Sequence, residues 1–206
     1  MRFTQDLKKY KKYSGRPAIV LLLTQQGLWA IFWYRFFNRI YRSKLPKLFK
    51  MPLLLWGVLV QKHIEIITGI MLPYSASIGT HFYIGHFGGI IINSKAVIGD
   101  NCNISQGVTI GVSGRGERRG VPVIGDNVYI GASATVAGDI TIGNDVVIAA
   151  NSLVIADVPS GTTVMGVPAT HVSNNNSKGY IKCSFWSLQM HPHYTRMMLI
   201  MLMLPM

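Results

Sequence analysis

Two histidines, His81 and His86, lie five residues apart in a stretch almost free of other ionisable groups, and His86 is followed by Phe87, Gly88 and Gly89. A neutral imidazole can take a proton from a weak nucleophile, ligate a metal, or serve as a polar corner residue. The residues alone leave all three uses open. A second concentration of chemistry is Ser113-Gly-Arg-Gly-Glu-Arg-Arg-Gly120. The guanidinium forks of Arg115, Arg118 and Arg119 suit phosphates or an anionic acceptor, and a solvated polar loop is the other reading of the same run. Cys102 stands in a slot that wants a small hydrophobe, and with two cysteines the chain has no disulfide framework.

The elements that position these residues announce themselves by period. Ile98, Ile104 and Ile110, then Ile124, Ile130, Val136, Ile142, Ile148 and Val154, recur every sixth residue, with Gly or Ala after most of them. A helix repeats its apolar face about every 3.6 residues and a strand every two, so this spacing belongs to neither as a single long element. It describes a parallel β-helix, in which three six-residue edges make one triangular coil and each aliphatic side chain points to the axis. Asp100-Asn101, Asp126-Asn127 and Asn144-Asp145 are expected at corners, where these residue types tolerate left-handed backbone. Ile78-Gly79 and Ile84-Gly85 start the repeat upstream, and the step from Ile84 to Ile98 breaks the period, which predicts one irregular coil.

Charge divides the chain. Its formal net charge is +12, and residues 1–62 account for all of it, with Asp6 as their one acid. Gly27 to Arg42 reads as a helix with an aromatic face beside Arg35, Arg39 and Arg42, in the manner of an interfacial helix. Residues 29–50 are therefore expected to make peripheral membrane contact, to pack as a helical cap on the first coil or between subunits, or to do both. Met51 to Val60 is too short to span a bilayer. Nucleic acid is not expected as a partner, because no binding motif accompanies the basic residues. The polar, basic start does not have the order of a secretory leader, which points to the cytoplasm, at the inner membrane face if the helix meets lipid. The boundaries expected are a helical region over 1–70, a β-helix over 71–172 and a tail over 173–206, with Asn174 to Lys178 as a polar exit linker.

His86-Phe-Gly-Gly-Ile-Ile-Ile-Asn, Ala96-Val-Ile-Gly-Asp, Gln106-Gly-Val-Thr-Ile-Gly, Pro122-Val-Ile-Gly and Gly166-Val-Pro-Ala together resemble, in order and spacing, the serine acetyltransferase branch of the hexapeptide-repeat acyltransferases. The resemblance covers residues 70–172. It implies a left-handed β-helix, a homotrimer and acetyl transfer from acetyl-CoA to a hydroxyl group. The family's catalytic histidine falls on His86, as general base. Family members extend a loop over the cleft where Arg115, Arg118 and Arg119 stand here, and lay the pantetheine arm along small residues that match Gly131, Ala132 and Ala150. The fold also supports zinc carbonic anhydrases that use three histidines. His63 lies in the helical region and His171 beyond the last coil, so no third ligand joins His81 and His86 and no metal is expected.

The departures direct the choice of acceptor. An Asp fifteen residues before the family histidine is Met71 here, an Asp just before it is Gly85, and an Arg-His pair ahead of the restarting Pro is Gly120-Val121. The basic residue that often follows the exit signature is Thr170. Glu65 and His81 are the candidates by proximity for orienting His86. Loss of the serine-handling groups, with the basic-aromatic N-terminus, turns expectation to a sugar hydroxyl of a surface or capsular polysaccharide or its precursor, in the pattern of polysaccharide O-acetyltransferases. The alternatives are transfer to serine or another small metabolite, or a non-catalytic, membrane-associated scaffold.

Overall fold

The computed structural model describes residues 2–116 and 119–181. Four helices come first: α1 (Arg2–Ser14), α2 (Ala18–Thr24), α3 (Gln26–Arg42) and α4 (Lys47–Thr68). The strands then follow coil by coil. The first coil holds β1 (Ile70–Met71), β2 (Ser77–Ile78) and β3 (Tyr83–Ile84), and the second β4 (Ile90–Ile92), β5 (Val97–Ile98) and β6 (Asn103–Ile104). The third holds β7 (Thr109–Gly111), β8 (Val123–Ile124) and β9 (Tyr129–Ile130), and the fourth β10 (Thr135–Ala137), β11 (Thr141–Ile142) and β12 (Val147–Ile148). After β13 (Leu153–Val154), the pair β14 (Thr163–Gly166) and β15 (Ala169–Ser173) ends the stack, and a short helix α5 (Lys178–Ile181) closes the described chain.

Equivalent strands of successive coils pair in parallel and form three sheets, β1-β4-β7-β10-β13, β2-β5-β8-β11 and β3-β6-β9-β12-β14-β15. Among the named strands of the described residues only the terminal β14–β15 pair is antiparallel, and its turn is the Gly166-Val-Pro-Ala signature. The six-residue period survives as a register. Ile78, Ile98, Ile124 and Ile142 stack in one sheet, and Ile84, Ile104, Ile130 and Ile148 in another, all buried on the axis. Cys102 is fully buried in its small-residue slot, and burial pushes its thiol up to about 12, so it packs rather than reacts.

A stack of coils exposes the backbone of its first turn, and unpaired strand groups buried against a helix layer need partners. Helices α1 and α3 supply them. The Tyr10 hydroxyl donates to Ile84 O (2.8 Å) and accepts from Ile84 N (3.0 Å), while the Tyr34 hydroxyl donates to Ala76 O (2.9 Å) and accepts from Ile78 N (3.1 Å). Arg35 binds the Asp6 carboxylate through Nε (2.8 Å) and Nη2 (3.1 Å), and donates also to Ile78 O and Gly79 O. Asp6 completes the set by accepting from Phe82 N (2.8 Å).

This buried ion pair corrects the expected cationic stripe. Arg35 does not belong to a lipid-facing row with Arg39 and Arg42, because Asp6, on a different helix, draws it onto the first coil. Among the described residues no helix is long and apolar enough to cross a membrane. The exit segment also departs from expectation. Ser177 is buried, its amide donating to Asp145 O (3.0 Å) and its hydroxyl to Asn127 O, and Tyr180 packs on Tyr129 with ring centroids 4.8 Å apart. The Tyr13 hydroxyl donates to Ile181 O, so the first helix and the last described one meet on the same sheet. The rest of the expected tail, residues 182–206, lies outside the described residues.

Lys9 is the other buried cation of this layer. Its Nζ donates to Asn101 O (3.0 Å), and burial pulls its pKa from 10.5 down to about 7. The unfolded chain keeps that proton up to its ordinary pKa, so above about pH 7 it binds more protons than the folded chain, and stability must rise with pH there. The slope approaches about 1.4 kcal/mol per pH unit for a fully depressed group. Urea midpoints taken between about pH 7 and pH 9 should climb for the native chain and stay flatter for Lys9→Met. Parallel profiles for the two proteins would remove this role for Lys9.

Candidate active site

The corner between the third and first sheets carries most of the candidate chemistry. Its register is read from backbone bonds: Gly107 N donates to Gly88 O (2.9 Å), Ser133 N to Gln106 O (2.9 Å) and Asn151 N to Ala132 O (2.8 Å). Gly88, Gln106, Ala132 and Ala150 therefore occupy equivalent places in successive coils. One step earlier, Gly85, Ser105, Gly131 and Ala149 are equivalent, each donating its N–H to an axial Ile or Val of the next coil. Between Gly85 and Gly88 the first corner thus holds two extra residues, His86 and Phe87. The irregular coil expected between Ile84 and Ile98 is this insertion.

The insertion lifts His86 and Phe87 off the edge, and both are exposed. Gly88 (φ +98°) and Gly89 (φ +66°) let the chain return in a backbone region that side chains resist. No described residue hydrogen-bonds the His86 ring. Of the candidates for orienting it, Glu65 is paired with Lys62 (2.8 Å) on α4. His81 stands at a different corner, where its Nδ1 lies 3.2 Å from Thr80 Oγ1. There His81 has φ +57° and belongs to a left-handed column with Asn101, Asn127 and Asp145. The two histidines are thus not brought together within the chain, and among the described residues no three His, Cys, Asp or Glu groups converge as metal ligands.

The small residues proposed along the edge do share it with His86. Ala132 is half-buried and Ala150 exposed. Gly131 has a packing reason of its own, since a Cβ there would lie 2.5 Å from Ala150 N, too close for any coil to stack. Sequence reasoning assigned no role to Gln106, whose exposed amide occupies the next coil at the same corner as His86. Counting the repeat through the two-residue insertion is the signal that finds it.

The arginine loop lies elsewhere. It leaves the far end of β7, and Ser113 and Gly120 close its base by pairing in both directions (3.2 and 3.1 Å). A strand of three residues, about 10 Å at the usual rise, separates this edge from the His86 corner within one chain. Arg115 and Arg119 are exposed there, and Arg118 lies outside the described residues. The departures at 120 and 121 have structural causes. A Cβ on Gly120 would fall 2.4 Å from the Cβ of Asp139, and Val121 packs against the core. Met71 pairs with Ile91 in β1 and β4, and Ile91 is followed in the same register by Thr109, Thr135 and Leu153. Thr170 is exposed on β15.

Residues 122–156 match the family described as bacterial transferase hexapeptide (six repeats). The chain is 34% identical over 165 residues to a serine acetyltransferase of Bacillus pumilus, covering 80% of this chain and 72% of the relative. It is 40% identical over 159 residues to a serine acetyltransferase of Synechocystis sp., covering 77% and 61%. Among solved structures, the serine acetyltransferase of Neisseria gonorrhoeae superposes with a TM-score of 0.73 at 32% identity, covering 88% of this chain and 68% of that one. The Vibrio cholerae serine acetyltransferase gives 0.73 at 28% identity, covering 89% and 69%. These likenesses overturn the sugar-acceptor expectation, because the relatives that share most of the chain carry the name serine acetyltransferase. The polysaccharide branch of the family has no support among them.

Proposed function

The chain belongs to the hexapeptide-repeat acyltransferases, with their left-handed parallel β-helix, and on that premise we propose that it transfers the acetyl group of acetyl-CoA to the hydroxyl of serine or a closely similar small acceptor. The observation that carries the site is the two-residue insertion that holds His86 at the corner where Gln106, Ala132 and Ala150 recur. His86 takes the proton as the acceptor oxygen attacks the thioester carbonyl. A new C–O bond forms, the C–S bond breaks, and the proton passes to the departing thiolate of CoA. The small residues at 132 and 150 leave room along the corner for the pantetheine arm, and Arg115, Arg118 and Arg119 are suited to phosphate or carboxylate.

The separation of the arginine edge from the His86 corner supports a closed trimer. Three copies with parallel axes can bring one chain's loop against its neighbour's His86 corner, giving three equivalent sites. Acetyl transfer measured against serine, other small hydroxylated metabolites and simple sugars tests the reading. Serine or a near analogue should be acetylated with release of free CoA thiol, by a particle of three times the chain mass. Transfer confined to sugars, or thioester loss with no acetylated product in the panel, would reject it.

A further inference from the structure

Helices α1 and α3 enclose a groove of about 530 Å³ on the outside of the helical layer, lined by Arg2, Phe3, Phe32, Phe36, Arg39 and Arg42 among others. Its floor is aromatic and its rim cationic. Among the described residues Arg2, Arg39 and Arg42 make no salt bridge, whereas Arg35, which also borders the groove, is held by Asp6. The aromatic floor is not isolated. Phe3 packs on Phe32 (5.2 Å between centroids), Phe32 on Trp33 (5.2 Å), and Trp33 on both Phe36 (6.0 Å) and Trp56 (6.2 Å). That run carries the apolar surface from the groove onto α4.

On α4 the exposed surface is almost entirely apolar. Leu48, Phe49, Met51, Leu55, Trp56 and Leu59 are between 47% and 79% exposed. Lys47, Lys50 and Lys62 flank them, and Lys44 precedes the helix. So many exposed large apolar side chains on one helix mark an interaction surface. The charge selects what covers it. A second copy would bring one strongly cationic helical layer against another, an arrangement that like-charge repulsion opposes. A surface that is apolar inside and anionic at its boundary satisfies both features.

We propose that this groove and the exposed face of α4 form a peripheral docking site for anionic phospholipid, with Arg2, Arg39 and Arg42 at headgroup level and the side chains of Phe32, Phe36, Trp56, Leu55 and Leu59 in the acyl boundary. Unlike an interfacial row through Arg35, this surface uses Arg39 and Arg42, which enter no salt bridge among the described residues. None of its residues is among those assigned to acetyl transfer.

Cosedimentation of the full chain with phosphatidylcholine vesicles, with and without phosphatidylglycerol, tests it. The native protein should pellet with the anionic vesicles at low salt, leave them at high salt, and ignore pure phosphatidylcholine. Each cationic side chain near an anionic surface contributes about a fivefold factor, so neutralising two predicts roughly thirtyfold weaker partition for Arg39→Gln/Arg42→Gln. Leu55→Ser/Leu59→Ser should weaken it while leaving the salt dependence in place. Light scattering and acetyl transfer should be unchanged in both variants. A native protein that stays in the supernatant overturns the proposal, as does an arginine variant that pellets like the native chain. Loss of particle mass in these variants also overturns it, by making the surface an interface between copies.

Discussion

His86→Ala should lower acetyl transfer by about 10²–10⁴-fold, the usual loss when a general base is removed, while the unfolding midpoint hardly moves. The structure explains why the two effects separate. His86 is one of two inserted residues, exposed, with no described hydrogen bond to its ring, so deleting the imidazole leaves the coils as they were. Exposed positions of this kind usually change stability by no more than about 0.5 kcal/mol. His81 offers the converse control. It occupies a left-handed corner equivalent to Asn101 and Asn127, so His81→Asn should keep both fold and turnover, whereas His81→Ala should cost stability through backbone strain. Steady-state rates on the acetylated acceptor, with chemical denaturation in parallel, read both expectations. Native turnover in His86→Ala would withdraw the general-base assignment, and a turnover loss in His81→Asn equal to that in His86→Ala would move the chemistry to the other corner.

The β-helix was legible because its period is written in residue types that have little choice. An axial position accepts only an aliphatic side chain, and Asn101, Asn127 and Asp145 mark left-handed corners that few other residues tolerate. Even the break in the period was informative, since the step from Ile84 to Ile98 located the insertion that carries His86. Partners from distant segments were not legible. Helical spacing puts Arg35, Arg39 and Arg42 in one row, but it contains nothing about Asp6, 29 residues away on another helix, which takes Arg35 out of the row. The changes at Gly120 and Val121 look from sequence like lost substrate groups. In the folded chain they are a close approach to Asp139 and a core contact, and so have packing reasons of their own. The sugar reading leaned on those losses, and the serine acetyltransferase relatives removed it.

Asp6→Ala should cost about 3–5 kcal/mol, because it leaves the Arg35 guanidinium buried without its counter-charge. The total stability of a domain is about 5–15 kcal/mol, so this one change should loosen the helical layer from the first coil. Arg35 would still reach Ile78 O and Gly79 O, but neutral carbonyls do not offset the desolvation of a full charge. The opposite deletion is gentler. Burial raises the Asp6 carboxyl above its ordinary value, with Arg35 and the Phe82 amide holding it down, so in Arg35→Met the acid can escape by taking up a proton. A guanidinium has no such escape in the accessible pH range. Asp6→Ala should therefore be the worse of the two at neutral pH, and the gap should narrow as pH rises, because the unfolded Arg35→Met chain ionises Asp6 freely while the folded one must keep the proton or bury a bare carboxylate. Asp6→Leu/Arg35→Met, which removes both charges and fills the space, should recover most of the loss. Denaturant midpoints of the three variants decide the matter. Equal losses in the single variants, or a double variant no better than Asp6→Ala, would mean that the pair acts through its hydrogen bonds to the first coil rather than through its charge.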